Sequence, residues 1–123
     1  MPQTEVFFFR DAGDDSVPLL EWLDQLPTKV QAKCTARIDR LGEMGNELRR
    51  PEADFLRDGI YELRATFQGV NYRTLYFFAG KSVVVVSHGL TKERDVPPRE
   101  IDTAVERKKK VERSFEQFTF RPE

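Results

Sequence analysis

The sequence of 123 residues has little of what several large classes of protein require. Cys34 is its only cysteine and His88 its only histidine, which excludes an intramolecular disulfide and a zinc cluster built from such ligands. No apolar run approaches the roughly 20 residues that a membrane-spanning helix needs. The N-terminus lacks the cationic start, apolar middle and cleavage site of a secretory signal. We therefore expect a cytoplasmic protein without a membrane partner.

Charge is nearly balanced, with 20 basic and 21 acidic residues, but it is unevenly distributed. Residues 1–27 carry six acidic groups and one basic group, whereas residues 28–98 carry twelve basic and nine acidic groups. The acidic leading segment argues against a chain that coats nucleic acid over its whole surface. The basic excess in the middle of the chain leaves room for a local cationic site.

The spacing of apolar residues is helical in the first half of the chain, after one short strand. The predicted elements are a strand over residues 6–9, a helix from a Ser16 cap to Pro27, a helix from a Thr28 cap to Gly45, and a polar loop over 46–58. The two helices are predicted to form a hairpin. Cys34 lies on the apolar stripe of the second helix, where packing is its expected role.

From residue 59 onward the apolar residues alternate, which predicts a sheet. The predicted elements are strands over residues 60–67, 70–78 and 82–88, tight turns at 68–69 and 80–81, and a last helix from Pro98. The fold class is therefore α+β: an N-terminal strand and a helical hairpin packed on a twisted antiparallel sheet, a meander, with a C-terminal helix. We expect one domain over residues 1–123, with 119–123 as a candidate loose tail.

The two tight turns fix the register of these strands and place basic residues in a row. The first turn sets Arg64 opposite Arg73, about 5 Å apart at Cβ. The second turn sets Arg73 opposite His88. Lys92 and Arg94 follow at the exit of the last strand, where they can overhang the same face.

A row of like charges suggests an anion-binding site. Cations directly opposite each other destabilise a sheet unless something offsets them, and a bound anion is the natural candidate. The planar arginine fork binds phosphate bidentately and stays charged, so Arg64 and Arg73 suit a phosphodiester or the extra charge of its transition state. His88 and Lys92 are candidates to move protons. This scheme needs no metal and no cofactor.

Simpler interpretations of the same residues remain open. Arg64 can pair with a carboxylate on a solvated sheet face. The candidate carboxylates are Glu62, Glu21 and Asp58. His88 can be an ordinary hydrogen-bonded residue, and the alternating charges of residues 92–95 are typical of a solvated loop. The basic run 107–110 looks like a nucleic-acid patch, but in a helix its members point around most of the circumference.

Four segments occur in an order that is typical of one known superfamily. They are residues 58–64 (DGIYELR), 71–78 (NYRTLYFF), 87–92 (SHGLTK) and 98–104 (PREIDTA). The chain resembles the RelE/HigB superfamily of toxins, most closely its phage-derived, HigB-like branch, over roughly residues 5–113. Together, the arginine-bearing strands and the histidine–glycine pair at the strand exit are fairly specific for this superfamily, whereas each feature alone is weak evidence for it.

The resemblance implies the toxin of a type II toxin–antitoxin pair, acting as a ribosome-dependent, metal-independent endoribonuclease on mRNA. In that reaction the ribose 2′-hydroxyl attacks its own phosphate, which leaves a cyclic phosphate and a free 5′-hydroxyl. Arg64 and Arg73 match basic residues that hold the scissile phosphate, and Lys92 matches a basic residue at the strand exit. We also expect Arg57 and Arg94 to contact RNA.

The resemblance also implies partners. They are the ribosome, mRNA and a cognate antitoxin, expected to be of helix-turn-helix type, through which operator DNA is bound indirectly. Two other functions remain open on the same scaffold. One is ParE-like inhibition of gyrase without RNA cleavage, and the other is an inactive phage-derived module that only binds an antitoxin-like partner.

Overall fold

A computed structural model describes residues 4–91 and 94–122 of the chain. The described residues form three α-helices and six strands. In chain order these are β1 (Glu5–Phe9), α1 (Pro18–Asp24), α2 (Thr28–Met44), a 3-10 turn (Gly45–Glu47), β2 (Ala53–Arg57), β3 (Ile60–Phe67), β4 (Val70–Phe78), β5 (Val83–Thr91), α3 (Pro98–Arg113) and β6 (Thr119–Phe120). None of these helices is long and apolar enough to cross a membrane.

The strands make one mixed sheet in the order β2-β3-β4-β5-β1-β6. Strands β3 to β5 are the predicted antiparallel meander, β2 extends it at one edge, and β1 adds to it by pairing parallel with β5. Parallel pairing at this position fits the sequence, because Phe7–Phe9 and Val84–Val86 are buried on both faces of the sheet. The predicted α+β fold class is confirmed, with a parallel strand that periodicity did not reveal.

Each face of the sheet is covered by helices, which gives two layers of core. The hairpin of α1 and α2 covers one face, where the buried helix residues are Leu19, Leu23, Val30, Cys34, Ile38 and Leu41. Helix α3 covers the other face through Ile101, Ala104 and Val111. The prediction that Cys34 packs in the core is confirmed, since it is 3% exposed.

The structure corrects three local predictions. Residues 53–57 are a strand and not part of a polar loop; they form the outer edge of the sheet, where charged side chains break the apolar alternation. Helices α1 and α2 are preceded by Val17 and Pro27, so neither Ser16 nor Thr28 is the N-cap. Of the candidate tail, Thr119 and Phe120 pair with β1 as β6.

Candidate phosphate site

The centre of the candidate site is the arginine pair on β3 and β4. Arg64 lies directly opposite Arg73, as the first turn predicts. Both side chains are on the face that carries α3, because Leu75, two residues from Arg73, belongs to the core beneath that helix. Two guanidinium groups therefore share one face of the sheet at its β2 side.

A buried carboxylate from the same face lies between the two arginines. Glu62 is 4% exposed; its Oε2 accepts a hydrogen bond from Arg64 Nη2 at 2.8 Å, and its Oε1 lies 3.4 Å from Arg73 Nε. The hydrogen bond that Arg64 donates to Glu62 raises the pKa of Arg64 above its ordinary value. One carboxylate thus partly offsets two cations, and Glu62 is one of the carboxylates that the sequence offered as a partner of Arg64.

The arginine pair retains donors that Glu62 does not use. Arg73 is 7% exposed, and its buried Nε has no hydrogen-bond partner among the described residues. The same holds for Nε of Arg64. Although Arg73 Nε and Glu62 Oε1 are 3.4 Å apart, their alignment does not make a hydrogen bond. A buried cation with unused donors is the environment in which an anion is held most strongly.

Both arginines line a cleft of about 280 Å³ near the edge of the sheet. Its lining residues are Arg37, Pro51, Glu52, Arg64, Thr66, Asn71 and Arg73. Arg37 reaches the cleft from α2: its Nε donates to the carbonyl oxygen of Arg64 at 3.0 Å, and its Nη1 donates to Glu52 at 3.1 Å. Sequence reasoning missed Arg37, because a basic residue off the apolar stripe of a helix gives no sign that it will reach a strand.

The cleft belongs to a larger network in which each carboxylate serves two arginines. Glu52 pairs with Arg37 and Arg40, Asp54 pairs with Arg50 and Arg64, and Glu62 pairs with Arg64 and Arg73. Among the described residues the network has five arginines against three carboxylates. It therefore carries a local excess of two positive charges in a protein whose net charge is −1. Such a patch attracts polyanions even when the whole chain does not.

The predicted pairing of Arg73 with His88 is wrong. Arg73 lies opposite Leu90, and His88 lies opposite Leu75. The turn between β4 and β5 is longer than two residues, since the N–H of Ala79 bonds to the carbonyl of Val83. A bulge at Ser87 then shifts the register by one more residue. The basic row is therefore interrupted, and His88 is absent from the cleft lining described above.

His88 is instead part of a buried network with α3. Its Nε2 lies 2.9 Å from Oε1 of Glu100, and its Nδ1 lies 2.7 Å from Oγ of Ser87, which also accepts from Arg107. A carboxylate only accepts, so Nε2 carries the proton and the Ser87 hydroxyl donates to Nδ1. Burial lowers the pKa of His88 below its ordinary value, against the opposing effect of Glu100. The neutral ring is therefore favoured at pH 7, and both of its nitrogens are hydrogen-bonded.

The other predicted site residues lie in different places. Lys92 falls outside the described residues. Arg94 is exposed and makes no ion pair with any residue that the structure describes. Arg57 is paired with both Asp58 and Asp102 at 2.7 Å, at the end of the β2–β3 hairpin away from Arg64. The structure therefore sets Arg64 opposite Arg73, whereas His88 and Arg57 are engaged by other partners.

Side chains that bind metals or act as nucleophiles are scarce around the cleft. Among residues 4–91 and 94–122, no group of three or more His, Cys, Asp and Glu side chains is arranged to hold a metal ion. Cys34 lies in the core under the helical hairpin, where burial raises the pKa of its thiol to about 11. The chemistry that the site offers is therefore that of fixed cations and hydrogen-bond donors.

A helical hairpin and a C-terminal helix on opposite faces of this six-stranded mixed sheet are consistent with a RelE-like fold. The chain belongs to the phage derived protein Gp49-like (DUF891) family, whose family model matches residues 21–109. That family is part of the RelE/HigB-like toxin superfamily, so the resemblance seen in the sequence is confirmed at that level. No curated protein matches the chain.

Proposed function

We propose that this protein is the toxin of a type II toxin–antitoxin pair and that it cleaves mRNA on the ribosome without a metal ion. The observation that carries the proposal is the arginine pair, Arg64 and Arg73, which lines a cleft near the edge of the sheet and keeps donors that no described residue uses. Membership of a family within the RelE/HigB-like superfamily supports the same conclusion. Assignment to its HigB-like branch is part of this proposal.

In the proposed reaction the two guanidinium groups hold the scissile phosphodiester. The ribose 2′-hydroxyl loses its proton, its oxygen bonds to phosphorus, and the bond from phosphorus to the 5′-oxygen breaks as that oxygen gains a proton. The non-bridging oxygens on phosphorus carry more negative charge in the transition state than in the diester. Arg64 and Arg73 stabilise that extra charge, because their forks are already fixed by Glu62 and by packing.

The proposed proton carrier is Lys92 and not His88. Both ring nitrogens of His88 are engaged by Ser87 and Glu100, so neither is available to a substrate. Thr91, the residue before Lys92 in the chain, pairs with Tyr72 next to Arg73. A lysine that serves beside fixed cations loses its proton more readily than a lysine in water. We propose that Lys92 exchanges a proton with the attacking or the leaving oxygen.

The proposed partners follow from the charge of the cleft. The uncompensated arginines suit ribosome-bound mRNA in the active protein and an acidic segment of an antitoxin in the inactive complex. We propose that this antitoxin is of helix-turn-helix type and that the pair binds operator DNA through it. Co-purification with the product of the adjacent gene, followed by size-exclusion chromatography, tests the complex; two separate peaks would contradict it.

The activity is tested by inducing the protein in bacteria that lack a partner gene. We expect growth arrest and cleaved mRNA with the wild type. Arg73→Lys should relieve the arrest, since it keeps the charge but loses the bidentate fork, and removal of one preorganised donor typically costs a factor of roughly 10² to 10³ in rate. Lys81→Ala, an exposed cation in the turn after β4, is the matched control and should remain toxic.

Three outcomes would contradict the proposal. Equal toxicity of the wild type and Arg73→Lys would remove the arginine pair from the mechanism. Intact mRNA together with a DNA-damage response would favour gyrase inhibition. Normal growth with soluble, folded wild-type protein would favour an inactive interaction module.

A further inference from the structure

A second groove lies at the edge strand β2, with its aromatic side chains on the face that carries the helical hairpin, whereas the arginine pair lies on the α3 face. It has a volume of about 660 Å³, and its lining residues are Asn46, Leu48, Arg49, Arg50, Ala53, Asp54, Phe55 and Tyr61. Phe55 is the one large hydrophobic side chain among the described residues that is exposed, at 53%. Proteins that bind single-stranded nucleic acid combine a solvent-exposed aromatic ring, on which bases stack, with basic side chains that contact phosphates. Phe55, Arg49 and Arg50 provide this combination.

The ring of Phe55 is held in place on one side and open on the other. It packs edge-on against Tyr61, with ring centroids 5.2 Å apart and an interplanar angle of 71°. Tyr61 in turn stacks on Tyr76, which is 1% exposed. The ring therefore rests on an aromatic row that is anchored in the core. A flat ligand can stack on it without first ordering it, which lowers the entropy cost of binding.

A shared carboxylate joins this groove to the arginine pair. Oδ2 of Asp54 lies 3.0 Å from Nη2 of Arg50 and 3.5 Å from Nη2 of Arg64. The Arg50 side chain is 76% exposed, so most of its donors face solvent. Cationic groups therefore continue around the edge strand from the phosphate cleft to the groove beside Phe55, as a nucleotide chain that passes over this edge would require.

Two features of the edge strand β2 disfavour pairing with a further strand. The N–H of Phe55 donates to the Asp54 side chain at 3.0 Å, and the pairing of β2 with β3 is bulged between Phe55 and Arg57. Both features are protections against edge-to-edge pairing. They favour a ligand that uses the ring and the arginines of the groove over a protein segment that extends the sheet.

We propose that this groove is a nucleotide subsite, in which a base of the RNA chain that passes around the edge strand β2 stacks on Phe55 while its own phosphate contacts Arg50. The proposal rests on the proposed function, since it extends the same RNA chain from the Arg64–Arg73 cleft. The ligand class is a single-stranded nucleotide. Every base can stack on Phe55, so we expect the groove to bind RNA without strong sequence preference.

The test measures binding of the full-length protein to 2′-O-methyl pentanucleotides, which have no free attacking hydroxyl. Fluorescence anisotropy compares an intact probe with five probes that each lack one base. One abasic position should weaken wild-type binding about 5- to 150-fold. In Phe55→Ala that position should no longer matter, whereas Phe55→Trp should preserve the effect and Phe55→Leu should lose most of it. Thermal melting checks that each variant is folded.

The outcomes separate this proposal from the function on which it rests. If Phe55→Ala keeps the wild-type response at every abasic position, or if the wild type does not bind the probe at millimolar concentration, the subsite is refuted. If Phe55→Ala binds RNA normally but loses the antitoxin, the groove is a protein interface and the proposal is also refuted. Arg73→Lys tests the cleft separately with a 2′-O-methyl dinucleotide, on which Phe55→Ala should have no effect.

Discussion

The substitution Glu62→Gln isolates the electrostatic balance of the arginine pair. Gln keeps the size and part of the hydrogen bonding of Glu62 but removes its charge. The variant therefore leaves two guanidinium groups facing each other across β3 and β4 with no carboxylate between them. We expect the variant to fold, to be less stable, and to depend on added anions for its stability.

The size of the effect follows from the distances. At an effective dielectric constant of about 20, Coulomb attraction is roughly 5 kcal/mol for the 3.4 Å contact with Arg73 and about 6 kcal/mol for the 2.8 Å contact with Arg64. Water screens Arg64, which is 30% exposed, and Glu62 itself loses less hydration once neutral. Breaking a buried pair typically costs about 3–5 kcal/mol, and we expect a loss near the lower end. That loss is a large part of the roughly 5–15 kcal/mol that stabilises a domain.

Urea unfolding at pH 7, with and without inorganic phosphate, measures this effect. We expect the free energy of unfolding to fall by about 3 kcal/mol in Glu62→Gln. Phosphate should restore more stability to the variant than to the wild type, because it binds only the folded cation pair. Glu47→Gln, an exposed carboxylate without an ion pair to any described residue, is the control. A loss below about 1 kcal/mol with no phosphate effect would refute the view that Glu62 is the counter-ion of this site.

Three further predictions concern residues outside the cleft. Burial lowers the pKa of His88 below 6.5, so its contribution to stability should be complete above about pH 6.5 and lost as the pH falls through the folded-state pKa. Urea unfolding from pH 7.5 to 5 should show this fall in the free energy of unfolding in the wild type and not in His88→Gln. Gly89→Ala should cost about 1–3 kcal/mol and lower the melting temperature, because its Cβ would overlap the rigid ring of Trp22; an unchanged melting temperature would contradict that packing. Cys34, with its thiol pKa raised to about 11, should react with iodoacetamide at pH 8 only when the protein is unfolded, and rapid labelling of the native protein would show an open core.

The sequence specified the fold well wherever periodicity was strong. The apolar stripe from Val30 to Leu41 and the alternating residues of β3 lie where spacing predicts them. The spacing of apolar residues did not predict β2, because this edge strand has charged side chains, such as Asp54 and Arg57, where a buried strand would be apolar. It also failed to reveal that β1 pairs parallel with β5, since such a contact joins residues about 80 positions apart and leaves no local pattern.

Whether the predicted positions of the site residues were correct depended on the geometry of the turns. The turn at residues 68–69 has two residues, and Arg64 therefore faces Arg73 as predicted. The turn before β5 is longer and is followed by the Ser87 bulge, neither of which a sequence pattern identifies, so the predicted position of His88 was wrong. Arg37 enters the site through tertiary packing of α2, which no spacing rule describes. Only the part of the site within one tight hairpin was predictable.

The most direct test of the central claim is the chemistry of the RNA ends produced in a purified translation system. Ribosomes programmed with a defined mRNA are incubated with the wild type or with Arg73→Lys, and the new 5′ ends are sequenced by a method that captures only 5′-hydroxyl groups. We predict 5′-hydroxyl ends within the message for the wild type, with cyclic phosphate on the upstream fragments, and few or none for Arg73→Lys. Full-length mRNA with both proteins, or the same cleavage with both, would contradict the proposal that the arginine pair holds the phosphate that is cut.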